Sequence, residues 1–205
     1  MLPTLKSNGL VNKIKSPSEI AEYLEGVRAD IGTDTVPCIV QCSGCFDLLH
    51  PDHITHLEEA SAFGNYLVVS VNSDESIARL KGIGRPIIPL FGRLHMLAAL
   101  RCVDVVTWFE EDEPSRIIEE IKPDIYVKAI DSIGRPMPEL AIVFKYGALR
   151  CTSVGDIHTT TLIERIREEN HVKDTDTVVG GEPLPGAVPV DKPPARKKRT
   201  RSKNT

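Results

Sequence analysis

Cys42-Ser43-Gly44-Cys45-Phe46-Asp47-Leu48-Leu49-His50-Pro51-Asp52-His53 is the stretch around which this chain is organised. An apolar run, Cys38-Ile39-Val40, leads into it. A helical pattern follows, with Ile54, Leu57 and Ser61 on one face and Gly64 placed to end the helix. The stretch therefore reads as a strand, a glycine-containing turn and the first turn of a helix. An α/β protein binds phosphates at such a point, because unpaired backbone N–H groups and the helix dipole both face the ligand. His50 and His53 stand at that helix start, and hydrogen bonds from their imidazoles would stabilise charge building up on a phosphoryl group.

Outward from this centre, apolar runs alternate with helical patterns. Downstream, Tyr66 to Val71 reads as a strand buried on both faces, with Asn72-Ser73-Asp74 at its carboxyl end, where open α/β sheets bind ligands. Arg79 to Pro86 is a basic loop with two glycines. Leu90, Leu94, Leu97 and Leu100 mark a helix, with Arg93 off the stripe, and Val103 to Phe109 is a third strand. Asp112 and Pro114 open a short helix that Pro123 stops. Asp124 to Val127 is a fourth strand ending in Lys128-Ala129-Ile130-Asp131, and after a polar loop come a helix at Glu139 to Tyr146 and a strand at Ala148 to Cys151. His158-Thr159-Thr160-Thr161 leads a last helix, opened either by a Thr161–Glu164 capping box or at Thr159. Upstream, Ser16-Pro17-Ser18-Glu19 is a helix start followed by an apolar stripe of Ile20, Tyr23, Leu24 and Val27. This alternation implies an α/β fold: a doubly wound, Rossmann-like, five-stranded parallel sheet with helices on both faces.

Composition sets the bounds. Residues 1–12 read as an N-terminal extension, 13–170 as one domain, and 171–205 as a disordered tail, rich in Pro and Gly and ending in a basic cluster. The total charge is −4, and Arg196, Lys197, Lys198, Arg199, Arg201 and Lys203 contribute +6 of it, which leaves −10 on the rest of the chain (−4 − 6 = −10). An acidic body argues against general nucleic-acid binding, except through the basic tail. Five cysteines without framework spacing fit a reducing compartment, so the expected location is cytoplasmic. No apolar run is long enough to span a bilayer, so no membrane partner is expected.

The central stretch resembles the Gly-Cys-Phe-Asp-x-x-His-x-Gly-His signature of the cytidylyltransferase-like nucleotidyltransferases. Within that superfamily it is most similar to the adenylyltransferase domain of ADP-heptose synthase. The resemblance extends over roughly residues 13 to 168 through Val71-Asn72-Ser73-Asp74, Leu80-Lys81-Gly82-x-x-Arg85-Pro86, Val103-Asp104, Phe109 to Asp112, Val127 to Asp131 in the place of a Lys-Gly-Gly-Asp segment, and His158-Thr159-Thr160-Thr161 in the place of a Ser-Thr-Thr motif. It implies that a nucleoside monophosphate, AMP by preference, passes from a nucleoside triphosphate to a sugar phosphate such as heptose 1-phosphate, with release of pyrophosphate. It implies Mg²⁺ with ATP, carried on the phosphates, and no metal site of protein ligands. By the same resemblance His50, His53 and Lys81 are catalytic. Ser43, Gly44, Cys45, Phe46, Asp47, Lys128, Asp131, Thr159 and Thr160 bind the nucleotide, and Asp74, Arg85 and Arg93 bind the second substrate. The partners are thus a nucleoside triphosphate and a small phosphorylated molecule; a homodimer is compatible with this reading.

Two departures bear on function. Asp52 replaces the glycine between the motif histidines. Facing the triphosphate at about 5 Å, its charge would cost roughly 3 kcal/mol at an effective dielectric near 20. Otherwise it caps the helix, turns outward, or reaches Mg²⁺. If none of these offsets the charge, the chain is a catalytically impaired nucleotide-binding module. The second departure is at Ala129 and Ile130, which replace two glycines and would crowd a nucleoside. The lead into the last helix, Val154-Gly155-Asp156-Ile157-His158, lacks the arginine of the cytidylyltransferases, which favours ATP over CTP. Cys42-x-x-Cys45 with His50 and His53 also invites a zinc reading, but the gap between the pairs is short for it.

Overall fold

Ile39 and Val40 show how the sheet is built. In the computed structural model, which describes residues 10–30, 37–132, 134–153, 155 and 157–175, they are consecutive, fully buried residues of strand β1 (Ile39–Gly44). Because side chains alternate along a strand, each joins the core on a different face. Strand β1 is central in a five-stranded sheet of order β3-β2-β1-β4-β5, in which every pairing is parallel. The other strands are β2 (Tyr66–Asn72), β3 (Val105–Phe109), β4 (Ile125–Ala129) and β5 (Ala148–Thr152). Burial on both faces is why Tyr66 to Val71 carries an unbroken apolar run rather than an alternating one.

Helices α3 (Pro51–Ser61) and α5 (Leu90–Ala98) cover one face, where Leu57, Ala60, Leu94 and Leu97 pack on Val40, Val69 and Val106. Helices α2 (Ile20–Asp30) and α6 (Ser115–Ile121) cover the other, through Ile20, Leu24, Ile117 and Ile121. Helix α7 (Leu140–Tyr146) adds Val143 against Ile118 and Tyr126. The remaining elements are α1 (Leu10–Lys13), α4 (Asp74–Lys81), α8 (Thr159–Thr175) and a single 3₁₀ turn at Ile130–Ser132. The doubly wound architecture read from the sequence is the one observed. Chain order reverses between β1 and β4, so a crevice opens beyond the carboxyl ends of those two strands.

Several boundaries differ from the expectations. Residues 74–81 form helix α4, which takes in Arg79, Leu80 and Lys81 of the expected basic loop; Ser73 caps it, its hydroxyl accepting the Ser76 N–H at 3.1 Å. Helix α3 ends at Ser61, before Gly64. Gly64 serves a close approach instead, since a Cβ there would lie 2.5 Å from the Cys38 carbonyl oxygen. At the front, α1 begins before residue 13, and Lys13 Nζ donates to the carbonyls of Leu100 and Val103 at 3.2 and 2.6 Å.

The described residues fall into two units, divided between residues 164 and 165. The first contains the sheet. In the second, residues 165–175 continue the helix, so it extends past the expected boundary at 170. The rest of the expected disordered tail, with its basic cluster, lies outside the described residues. Among the described residues no helix is long and apolar enough to cross a membrane.

Candidate active site

The turn after β1 is built under strain. Phe46 and Leu48 have φ of 45° and 23°, a region that side-chain-bearing residues rarely occupy. A buried polar frame holds them there. The Asp47 carboxylate, 1% exposed, accepts Arg85 Nε at 2.7 Å and the N–H groups of Ile87 and Ile88 at about 2.9 Å. Arg93, fully buried, donates to the carbonyls of Cys45 at 2.7 Å and Ile88 at 3.0 Å and to Asp74 Oδ1 at 2.7 Å. Asp47, Asp74, Arg85 and Arg93 do not line the crevice; their polar groups are engaged with one another and with the loop that they brace. Arg93 sits off the leucine stripe because its guanidinium is needed inward.

The other expected residues converge on one cleft of about 670 Å³ at the switch point. Ser43, Gly44, Cys45 and Phe46 come from the end of β1, His50 and His53 from the start of α3, and Lys81 from the last turn of α4. Lys128 and Asp131 follow from β4, and Thr159 and Thr160 open α8. The helix thus starts at Thr159, the second of the two starts considered above. Lys128 is paired with the nearly buried Glu139 at 2.9 Å, and Asp131 lies 3.9 Å from Arg135. Ala129 lines the cleft, whereas Ile130 is exposed.

His50 is the N-cap residue of α3 in extended conformation, and Pro51 follows where a missing N–H costs nothing. The His50 and His53 rings stack with centroids 3.7 Å apart. Nδ1 of each is buried without a partner, which leaves Nε2 as the nitrogen open to the cleft. Burial pushes both imidazoles below the usual histidine range, His53 down to about 4 with help from His50 and His56. Both rings are therefore neutral near pH 7, and each has a single proton to donate.

Asp52 is not the N-cap of α3, one of the places considered for it above. It occupies the first turn of α3, and its Oδ2 accepts the Ile157 N–H at 2.7 Å. Two neighbours on the same helix also grip the end of β5 and the residue after it. His56 Nδ1 meets Thr152 Oγ1 at 2.6 Å, and Glu59 accepts the Ser153 N–H at 2.7 Å. His56 and Glu59 escaped the sequence reading, and the cleft residue His158 entered it only as the first residue of the motif that leads the last helix. The spacing of 52, 56 and 59, which puts three polar residues on one helical face, was the available signal.

The CxxC zinc reading does not survive the geometry. Cys42 is buried in the core, where burial raises its thiol well above the usual range, while Cys45 lies at the cleft with Sγ 3.8 Å from Asn72 Oδ1. Among the described residues no three His, Cys, Asp or Glu side chains converge to hold a metal ion.

Residues 42–143 match the cytidylyltransferase-like family profile. The chain is 46% identical over 144 residues to the bifunctional protein HldE of Streptomyces coelicolor, covering 69% of this chain and 30% of that protein. It is 44% identical over 133 residues to the HldE of Hahella chejuensis, covering 64% and 28%. The chain thus spans less than a third of the length of these relatives. A solved lipopolysaccharide core biosynthesis protein from Thermoplasma volcanium is similar at 29% identity and a TM-score of 0.49, covering 60% of this chain and 99% of that one.

Proposed function

Through residues 42–143 the chain belongs to the cytidylyltransferase-like family of nucleotidyltransferases, and from that premise we propose that it moves AMP from ATP to a sugar phosphate such as heptose 1-phosphate. An oxygen of the sugar phosphate attacks the α-phosphorus in line. A new P–O bond forms there, the bond from the α-phosphorus to the bridging oxygen breaks, and pyrophosphate leaves with the electron pair. No protein nucleophile is required. The chain must hold two anions in line and offset the charge that gathers on the transferring group.

The observation that carries this reading is the convergence of His50, His53, Lys81, Thr159 and Thr160 on one cleft at the switch point of the sheet. Nε2 of each histidine donates to phosphate oxygens in the transition state. Lys81 offsets the charge of the triphosphate or of the incoming phosphate. Thr159, Thr160 and the N-terminus of α8 bind phosphate oxygens. Lys128, steadied by Glu139, and Asp131 lie toward the nucleoside. Mg²⁺ fits as an ion carried by the phosphates and water, since the cleft supplies scattered carboxylates rather than a ligand cage. When bound, it neutralises phosphate charge. ATP is preferred over CTP because the lead into α8 has no arginine. The reaction belongs to carbohydrate metabolism in the cytoplasm.

The test is pyrophosphate release from ATP, and from CTP in parallel, with a panel of sugar phosphates. Release is expected with ATP and only when a sugar phosphate is present. ATP binding without release from any nucleotide and acceptor would move the chain to a binding module.

A further inference from the structure

The structure assigns a task to Asp52 that the motif glycine cannot perform: we propose that it is a positioning residue, a built-in anion that fastens the lead into α8 before any nucleotide arrives. This role deepens the nucleotidyl-transfer reading only in its consequence for ATP; the fastening itself belongs to the ligand-free chain.

Three observations carry it. Asp52 Oδ2 accepts the Ile157 N–H at 2.7 Å, a contact between residues 105 positions apart in sequence. Ile157 stands two residues before the start of α8, so the bond sets where Thr159 and Thr160 open the helix. Next, the carboxylate lies flat against Gly155. A Cβ at Gly155 would fall 2.0, 2.1 and 2.2 Å from Asp52 Cγ, Oδ1 and Oδ2, and these are the nearest atoms that it would meet. The φ of Gly155 lies outside the left-handed region, so the backbone does not demand glycine there. The Asp52 side chain demands it. Finally, Asp52 heads a stripe in which His56 and Glu59 hold Thr152 and Ser153, so one face of α3 holds Thr152, Ser153 and Ile157 between the end of β5 and α8.

Electrostatics gives the reason for an anion at this point. The N-termini of α3 and α8 both border the cleft, and each presents unpaired N–H groups and a partial positive charge. Two such ends oppose each other when nothing lies between them. A carboxylate from the first turn of α3 that accepts an N–H from the lead into α8 offsets that opposition. The phosphate-binding end of α8 is then arranged in advance, and ATP does not have to organise it on binding. The Asp52 charge is spent on a backbone donor and a helix dipole rather than held against the triphosphate.

The experiment compares wild type, Asp52→Ala, Asp52→Asn, Gly155→Ala and the Asp52→Ala/Gly155→Ala double variant, each checked for native circular dichroism. Amide hydrogen exchange at Ile157 is read without nucleotide, and ATP affinity by calorimetry. Asp52→Ala should speed exchange at Ile157 by about tenfold or more and weaken ATP by about tenfold. Asp52→Asn, which keeps a carbonyl acceptor but not the charge, should restore only part of the protection. Gly155→Ala should weaken ATP in wild type but cost little further in the Asp52→Ala background, where the obstructing carboxylate is gone. The proposal is overturned if Ile157 exchanges equally fast in wild type and Asp52→Ala. It is also overturned if the two single substitutions act independently, or if both Asp52 variants bind ATP more tightly, which would identify Asp52 as a repelling charge. Because exchange is measured in the free protein, lack of pyrophosphate release from wild type would sink the nucleotidyl-transfer reading and leave this result standing.

Discussion

His53 is kept neutral by its surroundings, and that has a measurable cost in acid. Its folded pKa of about 4 lies below the ordinary 6.5. Between those values the unfolded chain binds a proton that the folded chain refuses. Stability is therefore complete above about pH 6.5 and is lost as pH falls toward 4, with this residue contributing a loss of about 2 kcal/mol from about pH 7 to about pH 5. Urea unfolding at both pH values should show a smaller acid loss for His53→Gln than for wild type; equal losses would mean that the imidazole is not held neutral. In catalysis, His50→Ala or His53→Ala should each lower pyrophosphate release by about a hundredfold with unchanged circular dichroism, the cost of removing one transition-state donor. Full activity in both variants would remove the histidines from the mechanism. The histidine pair itself was legible in the sequence because spacing at a helix start is a local property. Their stacked, partner-free Nδ1 atoms were not, because those depend on what packs over the helix.

At the scale of elements, the turn between β1 and α3 depends on the segment before α5. Asp47 ties that turn to Arg85, Ile87 and Ile88, and the strained Phe46 and Leu48 flank it. Asp47→Ala leaves Arg85, only 14% exposed, without its partner. It should destabilise the fold by about 3 kcal/mol, the usual result of breaking one side of a buried pair, measured as a lower urea midpoint with unchanged slope. A change below about 0.5 kcal/mol would show that the tie is not structural. The elements themselves were mostly readable, since long apolar runs and leucine stripes carry their own period. Helix α4 was the exception. It buries only Ser76 and Ile77, too little for a stripe, although Ser73-Asp74-Glu75 is a good helix start. The inward pairing of Arg93 was not legible for a related reason: the Cys45 carbonyl that it serves lies 48 residues away.

For the molecule as a whole, the residues lining the cleft lie between Ser43 and Thr161. Truncation after Thr175 should therefore leave pyrophosphate release within about twofold of wild type. If the basic cluster has a task of its own, a salt-dependent affinity for nucleic acid should vanish with it. A truncated chain that folds but no longer releases pyrophosphate would show that residues beyond 175 contribute to the site.

The amino-acid sequence alone carried the architecture and the position of the candidate cleft. Alternating apolar runs and helical stripes imply a parallel doubly wound sheet, and a Gly-containing turn into a helix start marks where phosphates bind. These are local patterns, written within a dozen residues. It took the folded chain to sort the polar residues into those that face the cleft and those that build it. In sequence Asp47 reads as a nucleotide ligand and Arg85 and Arg93 as ligands of the second substrate, and the fold joins all three in a buried frame, while Asp52 resembles an obstruction and makes a bond 105 residues away. The physical reason is that a side chain's hydrogen-bond partners are chosen by close packing and desolvation. Those arise only when distant segments meet, and no periodicity encodes them.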